Sequence, residues 1–513
     1  MLAGEASAKA GVPPADRSKA VGVAEPGLGA HRTALVGLAA AFVVSRMAMW
    51  AAGMGFNAVG LHPRSVLQAQ WQLLPATLLR HQLATSLWHL QSQPPLYNLA
   101  VAGLLRLPGG AQVPVAALAM AGLGLVMVLC TYGTLVDLGV RRGVAVAVGL
   151  FLVASPDVAV YERWLFYAEP TASLLAVAMF CGVRFLRTER LAWGAAFFSV
   201  GGAVVLLDSS YQWVWWVASA APVAAALRHR WRTVARAALL PALLVGTWYV
   251  KDAVLFGTAT TSSWLGMNLA RATVAAQPPD VISSLVRRRI LSPLAGVPPF
   301  EPVAAYVPRF VAEPPHTGVA ALDWRIGAAG SSNFNNLAYV AVSEKYLSQD
   351  LRFVRADPGR YLSAVGRAMA VWSVPGDDYP FVAGVRAPIA GYARLWDMVV
   401  GWQAHPDLQA GLTTVRTHRG PSAAQVSWSV ILLTALAIIG APIVVWRWRR
   451  RDAVRAAGLA FVWCTVVYVF ALTSFVELGE NNRFRMELGP LPLVAAVVVG
   501  SVVVRWSGRF VRR

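Results

Sequence analysis

The chain has 513 residues, of which 57% are hydrophobic and only 14% are charged, and its mean hydropathy is +0.53. This composition excludes an ordinary soluble protein and predicts a polytopic membrane protein. The net charge of +20 comes largely from arginines in short clusters between apolar runs, which is the pattern of the positive-inside rule. We therefore expect the lipid bilayer as a partner and no nucleic acid.

Ten apolar runs, each near the roughly 20 residues needed to cross hydrocarbon or a little shorter, predict ten transmembrane helices. In chain order they are residues 33–54, 112–136, 140–157, 169–186, 191–208, 212–227, 234–255, 424–446, 454–474 and 488–505. Residues 1–32 are rich in Gly, Ala and Pro and predict a disordered cytoplasmic tail, and residues 506–513 predict a basic cytoplasmic tail.

The apolar stretch 94–107 decides the predicted topology. If it crosses the membrane, the arginine clusters that follow it swap sides relative to the N-terminus. If it lies at the surface, they all share one side, which obeys the charge rule. We therefore predict a juxtamembrane helix opened by the proline pair at 94 and 95, which is too short to span comfortably.

This topology predicts a plasma-membrane protein with both termini in the cytoplasm. Its predicted parts are an N-terminal transmembrane core (33–255) with a first outer loop (55–111), a long outer loop with amphipathic helices (256–423), and C-terminal transmembrane helices (424–505) with an outer loop (475–487). A further outer segment is 157–168, so the two most polar short loops are predicted on the same membrane face.

The loop YERWLFYAEP crowds carboxylates and aromatic rings between apolar runs. Such groups suit a sugar, because rings stack on its apolar face while an acid accepts a hydroxyl proton. We take Glu162 as the candidate base, because Glu169 precedes Pro170 and can instead cap a helix. Tyr161 and Glu169 are candidate binding residues. The alternative is an interfacial aromatic belt with a solvated acid.

The loop ELGENNRFRMELG contains Glu480, Asn482, Arg483 and Arg485 directly before the last predicted span. Guanidinium forks bind phosphate oxygens in bidentate fashion, so this loop is a candidate clamp for a lipid phosphate. Alternatively, its charges solvate the loop and pair with one another. Lys251 could contact the same phosphate or extend its ammonium group to the membrane interface.

The first outer loop carries no Asp or Glu between residues 55 and 111. Its candidates for sugar binding are His89 and Gln93, although a histidine with a structural partner is the common alternative. Asp377 and Asp378 form an adjacent acidic pair that looks like a turn, so we expect no metal. Nucleotide-binding, dinucleotide-binding and zinc-protease motifs are absent from the sequence.

Four motifs resemble those of the GT-C superfamily of polytopic membrane glycosyltransferases, in the RgtA/B/C/D-like and protein mannosyltransferase-like branch. They are SLWHLQSQPPLYNL, SPDVAVYERWLFYAEP, VKDAVLFG with SSWLGMN, and ENNRFRMELGPL. The resemblance implies an all-α GT-C-like bundle with outer juxtamembrane helices. It also implies transfer of a sugar from a polyprenyl-phosphate carrier to a glycan, lipid or protein acceptor in the cell envelope, with inversion and without a cofactor.

By this resemblance, Arg483 and Arg485 hold the carrier phosphate and Glu162 is the acid of the second loop. The chain departs from the superfamily in its first outer loop, where the catalytic Asp of those enzymes has no counterpart. Glu162 could take over the base role, or the acceptor could be activated otherwise. The remaining alternatives are a carrier or flippase for lipid-linked sugars and a non-catalytic subunit of envelope assembly.

Overall fold

The structure is a computed structural model that describes residues 28–57, 70–326, 331–404 and 417–510. Within these ranges the regular elements are helices, with two isolated β-bridges beside them. The α-helices are α1 (Leu28–Ala51), α2 (Ala76–His81), α3 (Leu83–Trp88), α4 (Pro95–Leu105), α5 (Gly109–Asp137), α6 (Arg142–Ala154), α7 (Pro156–Tyr161), α8 (Ala168–Thr188), α9 (Leu191–Leu207), α10 (Trp213–Ala226), α11 (Trp231–Phe256), α12 (Leu265–Ala272), α13 (Pro279–Arg287), α14 (Ala320–Asp323), α15 (Ala338–Ala356), α16 (Pro358–Trp372), α17 (Ala383–Arg386), α18 (Ala390–Val399), α19 (Trp428–Trp448, with a π-helical turn at Leu436–Gly440), α20 (Ala453–Val476), α21 (Asn481–Glu487) and α22 (Leu491–Phe510).

Among the described residues, six helices are long and apolar enough to cross a membrane: α1, α5, α8, α11, α19 and α20. The helix pair α21 and α22 adds a seventh candidate, bent by 70°. Helices α6, α9 and α10 have 13, 17 and 14 residues. At 1.5 Å per residue they span only about 20 to 26 Å. An α-helical membrane protein is thus confirmed, whereas the predicted count of ten spans is not.

Helix α4 occupies the stretch that decided the predicted topology. It has 11 residues and begins directly after Pro94, so it is too short to cross hydrocarbon. It packs against α2, α5 and α9 with about half of its residues buried.

The predicted boundaries at both ends of the chain differ from the observed helices. Helix α1 begins at Leu28, five residues before the predicted span, and α22 continues to Phe510, beyond the predicted end at 505. The other residues assigned to the two tails, 1–27 and 511–513, lie outside the described ranges. Amphipathic helices α15 and α16 meet at Asp357, whose side chain accepts a hydrogen bond from the backbone N–H of Arg360 and so caps α16.

The main core lies where α8 packs against α5, α9 and α20. Close approach between membrane helices relies on small residues, because burial from lipid gives little driving force. At the α8–α9 contact, a Cβ added to Gly194 would lie 2.7 Å from the ring of Phe185, and one added to Gly182 would lie 3.0 Å from the ring of Phe197. Glycine at these two positions lets the helices approach until the rings fill the gap.

One end of the bundle collects the polar segments, and we refer to it as the polar end. It consists of α7 with residues 162–167, the turn of residues 372–379 after α16, and residues 477–480 with α21. Helix α21 packs on α8, α16 and α20, which brings these segments together.

Candidate functional site

The two polar loops singled out in the sequence meet at the polar end. The guanidinium of Arg483 lies 5.2 Å from the ring centroid of Phe166 and 5.8 Å from that of Tyr167. Arg483 is only 2% exposed, and it donates hydrogen bonds to Glu480, at 2.9 Å, and to Glu487. This predicted phosphate ligand is therefore paired inside the protein by its own helix.

Asn482 and Arg485, also predicted to bind substrate, hold the turn of residues 372–379 from the side of α21. Asn482 donates through Nδ2, and Arg485 donates through Nη1. The backbone carbonyls that accept these bonds, at 2.5 to 2.9 Å, belong to Trp372, Val374, Pro375 and Asp378. Within the described part of the chain, Nε and Nη2 of Arg485 make no hydrogen bond.

Helix α7 holds the same turn from the opposite side. The hydroxyl of Tyr161 donates to the carbonyl of Gly376 at 3.1 Å. The carboxylate of Asp157 accepts from the backbone N–H of Gly376 at 3.3 Å and from that of Asp377 at 3.1 Å. The turn is thus fixed between α7 and α21 by side chains from both, and this links the two loops a second time.

Glu162, the predicted base, forms a buried ion pair with Arg46 of α1. Its two oxygens accept from Nε and Nη2 at 2.5 and 2.6 Å, and Nη1 of Arg46 donates to the carbonyl of Val153 at 2.7 Å. Burial raises the pKa of Glu162, and Arg46 opposes that rise. Glu169 is buried in α8 and accepts from Ser173 at 3.0 Å.

Two of the predicted binding residues of the first loop and α11, Lys251 and His89, also have internal partners. Lys251 pairs with Asp252 at 2.5 Å and donates to the carbonyl of Leu90 at 2.8 Å, which anchors the loop before α4. The ring Nδ1 of His89 lies 2.9 Å from the carbonyl four residues earlier, and Gln93 is 4% exposed. Lys251 therefore positions the first loop against α11.

Glu480 is the centre of a buried ionic network. It accepts from Arg271 at 3.1 Å, from Arg483 and from the hydroxyl of Tyr379 at 3.1 Å, and Arg271 also pairs with Glu477 at 3.1 Å. Burial alone would raise the pKa of Glu480, but Arg271 and Arg483 outweigh it and lower the pKa to about 2. Burial raises the pKa of Glu477 to about 8, although Arg271 opposes the rise.

The raised pKa of Glu477 predicts a stability that falls with pH. Between pH 4.5, the ordinary value, and pH 8, the unfolded chain loses this proton more readily than the folded one, so unfolding is favoured increasingly up to pH 8. We expect the melting temperature of wild type, relative to Glu477→Gln, to decrease across this window in detergent micelles. The exposed Glu344→Gln should track wild type, and parallel curves for wild type and Glu477→Gln would contradict the shift.

Two cavities flank α21. The acidic cavity, of about 140 Å³, contains Asp157, Asp397 and Arg485 together with Trp396. Its walls also include three serine hydroxyls and apolar side chains from three helices: Ser155, Ser427, Ser429, Phe151 of α6, Leu433 of α19 and Leu493 of α22.

The hydroxyl cavity, of about 130 Å³, is lined chiefly by uncharged polar side chains with one carboxylate and one aromatic ring. These are Ser209, Ser210, Gln212, Thr260, Ser262, Asn268, Thr473, Glu477 and Phe484. Neither cavity is lined by Glu162 or Arg483. The predicted acid and the predicted clamp therefore do not share one of these two cavities, whereas Arg485 shares one with two aspartates.

Two carboxylates of the acidic cavity and a third beside it lie close enough to hold a metal ion. Ligand oxygens of Asp157, Asp377 and Asp397 all lie within 4.8 Å of one another. Arg386 already contacts two of them, at 2.5 Å from Asp377 and 3.3 Å from Asp397. Burial and the charge of Asp157 raise the pKa of Asp377 to about 7, and burial with the charge of Asp377 raises that of Asp397 to about 9.

Sequence reasoning missed several charged residues of this site, namely Asp157, Arg271, Arg386 and Asp397. Only weak signals in the sequence pointed to this site. Asp157 lies within one of the four motifs, and the adjacent pair Asp377 and Asp378 was interpreted only as a turn. Arg271, Arg386 and Asp397 lie far apart in a segment with no polar periodicity that singles them out.

Comparison with protein-family models, with curated proteins and with solved structures gives no match. The fold and the polar end define the class of protein: an α-helical membrane protein in which most of the buried charged residues converge at one end of the bundle. The resemblance to GT-C enzymes stays a prediction.

Proposed function

We propose that the protein is an integral membrane glycosyltransferase that moves a sugar from a polyprenyl-phosphate carrier to a glycan, lipid or protein acceptor of the cell envelope. In this proposal the polar end faces outward from the plasma membrane. The observation that carries the proposal is the acidic cavity, because it combines a carboxylate, a buried guanidinium and apolar walls from membrane helices.

The carboxylate in this proposal is Asp157. Each of its oxygens accepts one backbone N–H bond, which leaves lone pairs for a further hydrogen bond. It is half-buried and lines the acidic cavity. Glu162 differs on each point, since it is 1% exposed, has both oxygens on Arg46 and lines neither cavity. We therefore assign the base role to Asp157 and a structural role to Glu162.

The phosphate ligand in this proposal is Arg485. Its Nη1 is fixed on two backbone carbonyls, which orients the guanidinium plane and leaves Nε and Nη2 for phosphate oxygens. The apolar side chains Phe151, Leu433 and Leu493 form a wall that suits the first isoprene units of a carrier. Trp396 supplies an aromatic face for the sugar ring.

The reaction is a single displacement. Asp157 takes the proton of the acceptor hydroxyl, and the acceptor oxygen forms a bond to the anomeric carbon on the face opposite the phosphate. The bond between the anomeric carbon and the phosphate oxygen breaks, so the carrier leaves as polyprenyl phosphate and the anomeric centre inverts. Arg485 stabilises the negative charge that develops on the departing phosphate.

The test is sugar transfer by the purified protein in liposomes that contain polyprenyl-phosphate hexoses or pentoses with a labelled sugar and an envelope extract as acceptor. Asp157→Asn should lower the transfer rate about 100-fold, as expected for loss of a general base. It should still bind the labelled donor. The matched control is Asp280→Asn, which removes an exposed carboxylate at the start of α13 and should transfer normally.

Full activity of Asp157→Asn would refute the assignment of the base. A wild-type protein that binds the labelled donors, or moves them between leaflets, without transferring the sugar would instead identify a carrier or flippase. Absence of both binding and transfer would favour the non-catalytic subunit. Melting curves of both variants show whether the turn of residues 372–379 is still held, since the amide that Asp157→Asn introduces keeps one acceptor oxygen for the backbone N–H groups of that turn.

A further inference from the structure

A large cavity lies at the end of the bundle opposite to the polar end. It has a volume of about 820 Å³ and is formed by the end of α19, the turn before α20 and the end of α22. Helix α20 begins beside this cavity and ends at Val476, directly before Glu477, so its 24 residues separate the two sites by about 36 Å at 1.5 Å per residue. That distance is close to the thickness of a bilayer.

Among the described residues, six arginines and a single carboxylate line this cavity, which we name the arginine cavity. The arginines are Arg447, Arg449, Arg450, Arg451, Arg455 and Arg505. The carboxylate, Asp452, pairs with Arg455 at 3.1 Å and accepts a hydrogen bond from the backbone N–H of the same residue at 3.0 Å. It caps the start of α20, and both of its oxygens are engaged by Arg455. The concave surface therefore has a large excess of positive charge.

Four of these arginines have no carboxylate within salt-bridge distance in the described part of the chain: Arg447, Arg449, Arg450 and Arg451. Two of them are held by aromatic rings instead. The guanidinium of Arg447 lies 4.1 Å from the ring centroid of Trp506, and that of Arg449 lies 5.4 Å from that of Trp446. These contacts orient guanidinium groups that keep their hydrogen-bond donors for a ligand.

We propose that the arginine cavity binds the phosphate headgroup of an anionic phospholipid. Several guanidinium groups around one concavity match the oxygens of a phosphate, and the mutual repulsion of the arginines is relieved when an anion enters. The tryptophans Trp446 and Trp506 belong to α19 and α22, and the ring of Trp446 is 61% exposed. Rings at this level lie at the boundary between headgroups and hydrocarbon, which places the acyl chains along the same helices.

A lipid headgroup fits better than free phosphate because the cavity adjoins exposed apolar helix surface. Val503 and Val504 of α22 are 51% and 70% exposed, directly before Arg505. Such a site adds acyl-chain contacts to the phosphate contacts, whereas inorganic phosphate gains only the latter. The charge rule assigns this end of the bundle to the cytoplasm, where anionic lipids lie in the adjacent leaflet.

The test is binding of a fluorescent short-chain phosphatidylglycerol to the full-length protein in neutral detergent. We expect saturable binding to wild type and a dissociation constant about 30-fold higher for Arg449→Gln/Arg450→Gln, at about fivefold for each lost arginine. The matched control is Arg228→Gln/Arg232→Gln. It removes two exposed arginines at the same end of the bundle, one between α10 and α11 and one in the first turn of α11, and should change the dissociation constant less than twofold.

Three outcomes would overturn the proposal. Equal affinity for phosphatidylcholine would show that the headgroup charge is not recognised. Competition by inorganic phosphate at concentrations comparable to those of the lipid would show that the site binds a free anion. Equal losses in the two double variants would show that charge at this end, and not the arginine cavity, attracts the lipid. None of these results depends on sugar transfer, so they are distinguishable from failure of the proposed function.

Discussion

Replacing Arg46 by leucine is expected to lower the free energy of unfolding by about 3 to 5 kcal/mol. The substitution leaves the carboxylate of Glu162 buried without its partner, and breaking a buried ion pair on one side has a cost of this size. The carboxylate packs directly against α5, where glycine leaves room for it, because a Cβ added to Gly124 would lie 2.3 Å from its Oε1. Burial and a tight helix contact therefore hold the uncompensated charge in place.

The measurement is thermal or denaturant unfolding of the purified protein in detergent micelles. The double variant Arg46→Leu/Glu162→Leu should recover most of the loss, because two apolar side chains replace the pair without leaving a charge. Arg352→Leu, at an exposed position of α15, is the control and should stay within about 0.5 kcal/mol of wild type. A double variant as unstable as Arg46→Leu would contradict the assignment of Glu162 as the partner.

Replacing Arg483 by methionine is expected to have the larger effect. The side chain keeps the two carboxylates Glu480 and Glu487 paired inside the protein, and its guanidinium contacts the rings of Phe166 and Tyr167. Loss of the buried pairing costs about 3 to 5 kcal/mol. Loss of the cation–π contacts adds about 1 to 2 kcal/mol. We expect the variant to unfold at much lower temperature and its polar loops to separate.

This prediction distinguishes a structural role of Arg483 from the phosphate clamp suggested by the sequence. A clamp would lose affinity for the polyprenyl-phosphate sugar in Arg483→Met while the melting temperature stayed near that of wild type. If Arg483 has a structural role, Arg483→Met should instead have a lower melting temperature than wild type. Arg483→Lys keeps the charge but loses the fork, so it should be intermediate in stability. Near-normal stability of Arg483→Met with weakened donor binding would contradict the structural role and support Arg483 as a phosphate ligand.

The sequence predicted the membrane-protein class because apolar length and charge clusters are local properties. It also predicted the loop around Glu162 and the loop of Arg483 on the same membrane face, and the contacts of Arg483 with Phe166 and Tyr167 show that the two loops lie side by side. The count of ten spans rested on composition alone. Helices α6, α9 and α10 end after 13 to 17 residues because prolines or polar turns follow the apolar runs, which hydropathy does not resolve.

What the sequence determined by itself was the solvent in which the protein folds and which polar residues are too costly to leave in hydrocarbon without a role. Only the tertiary structure decided which partner each of them has. Arg46 is 116 residues from Glu162, and Arg271 is 209 residues from Glu480. The pairing of a buried charge depends on which helix packs beside it, and that choice is made by the shapes of many side chains together. Local patterns could therefore identify some charges of this site, such as Glu162 and Arg483, but could not assign each one to structure or to chemistry.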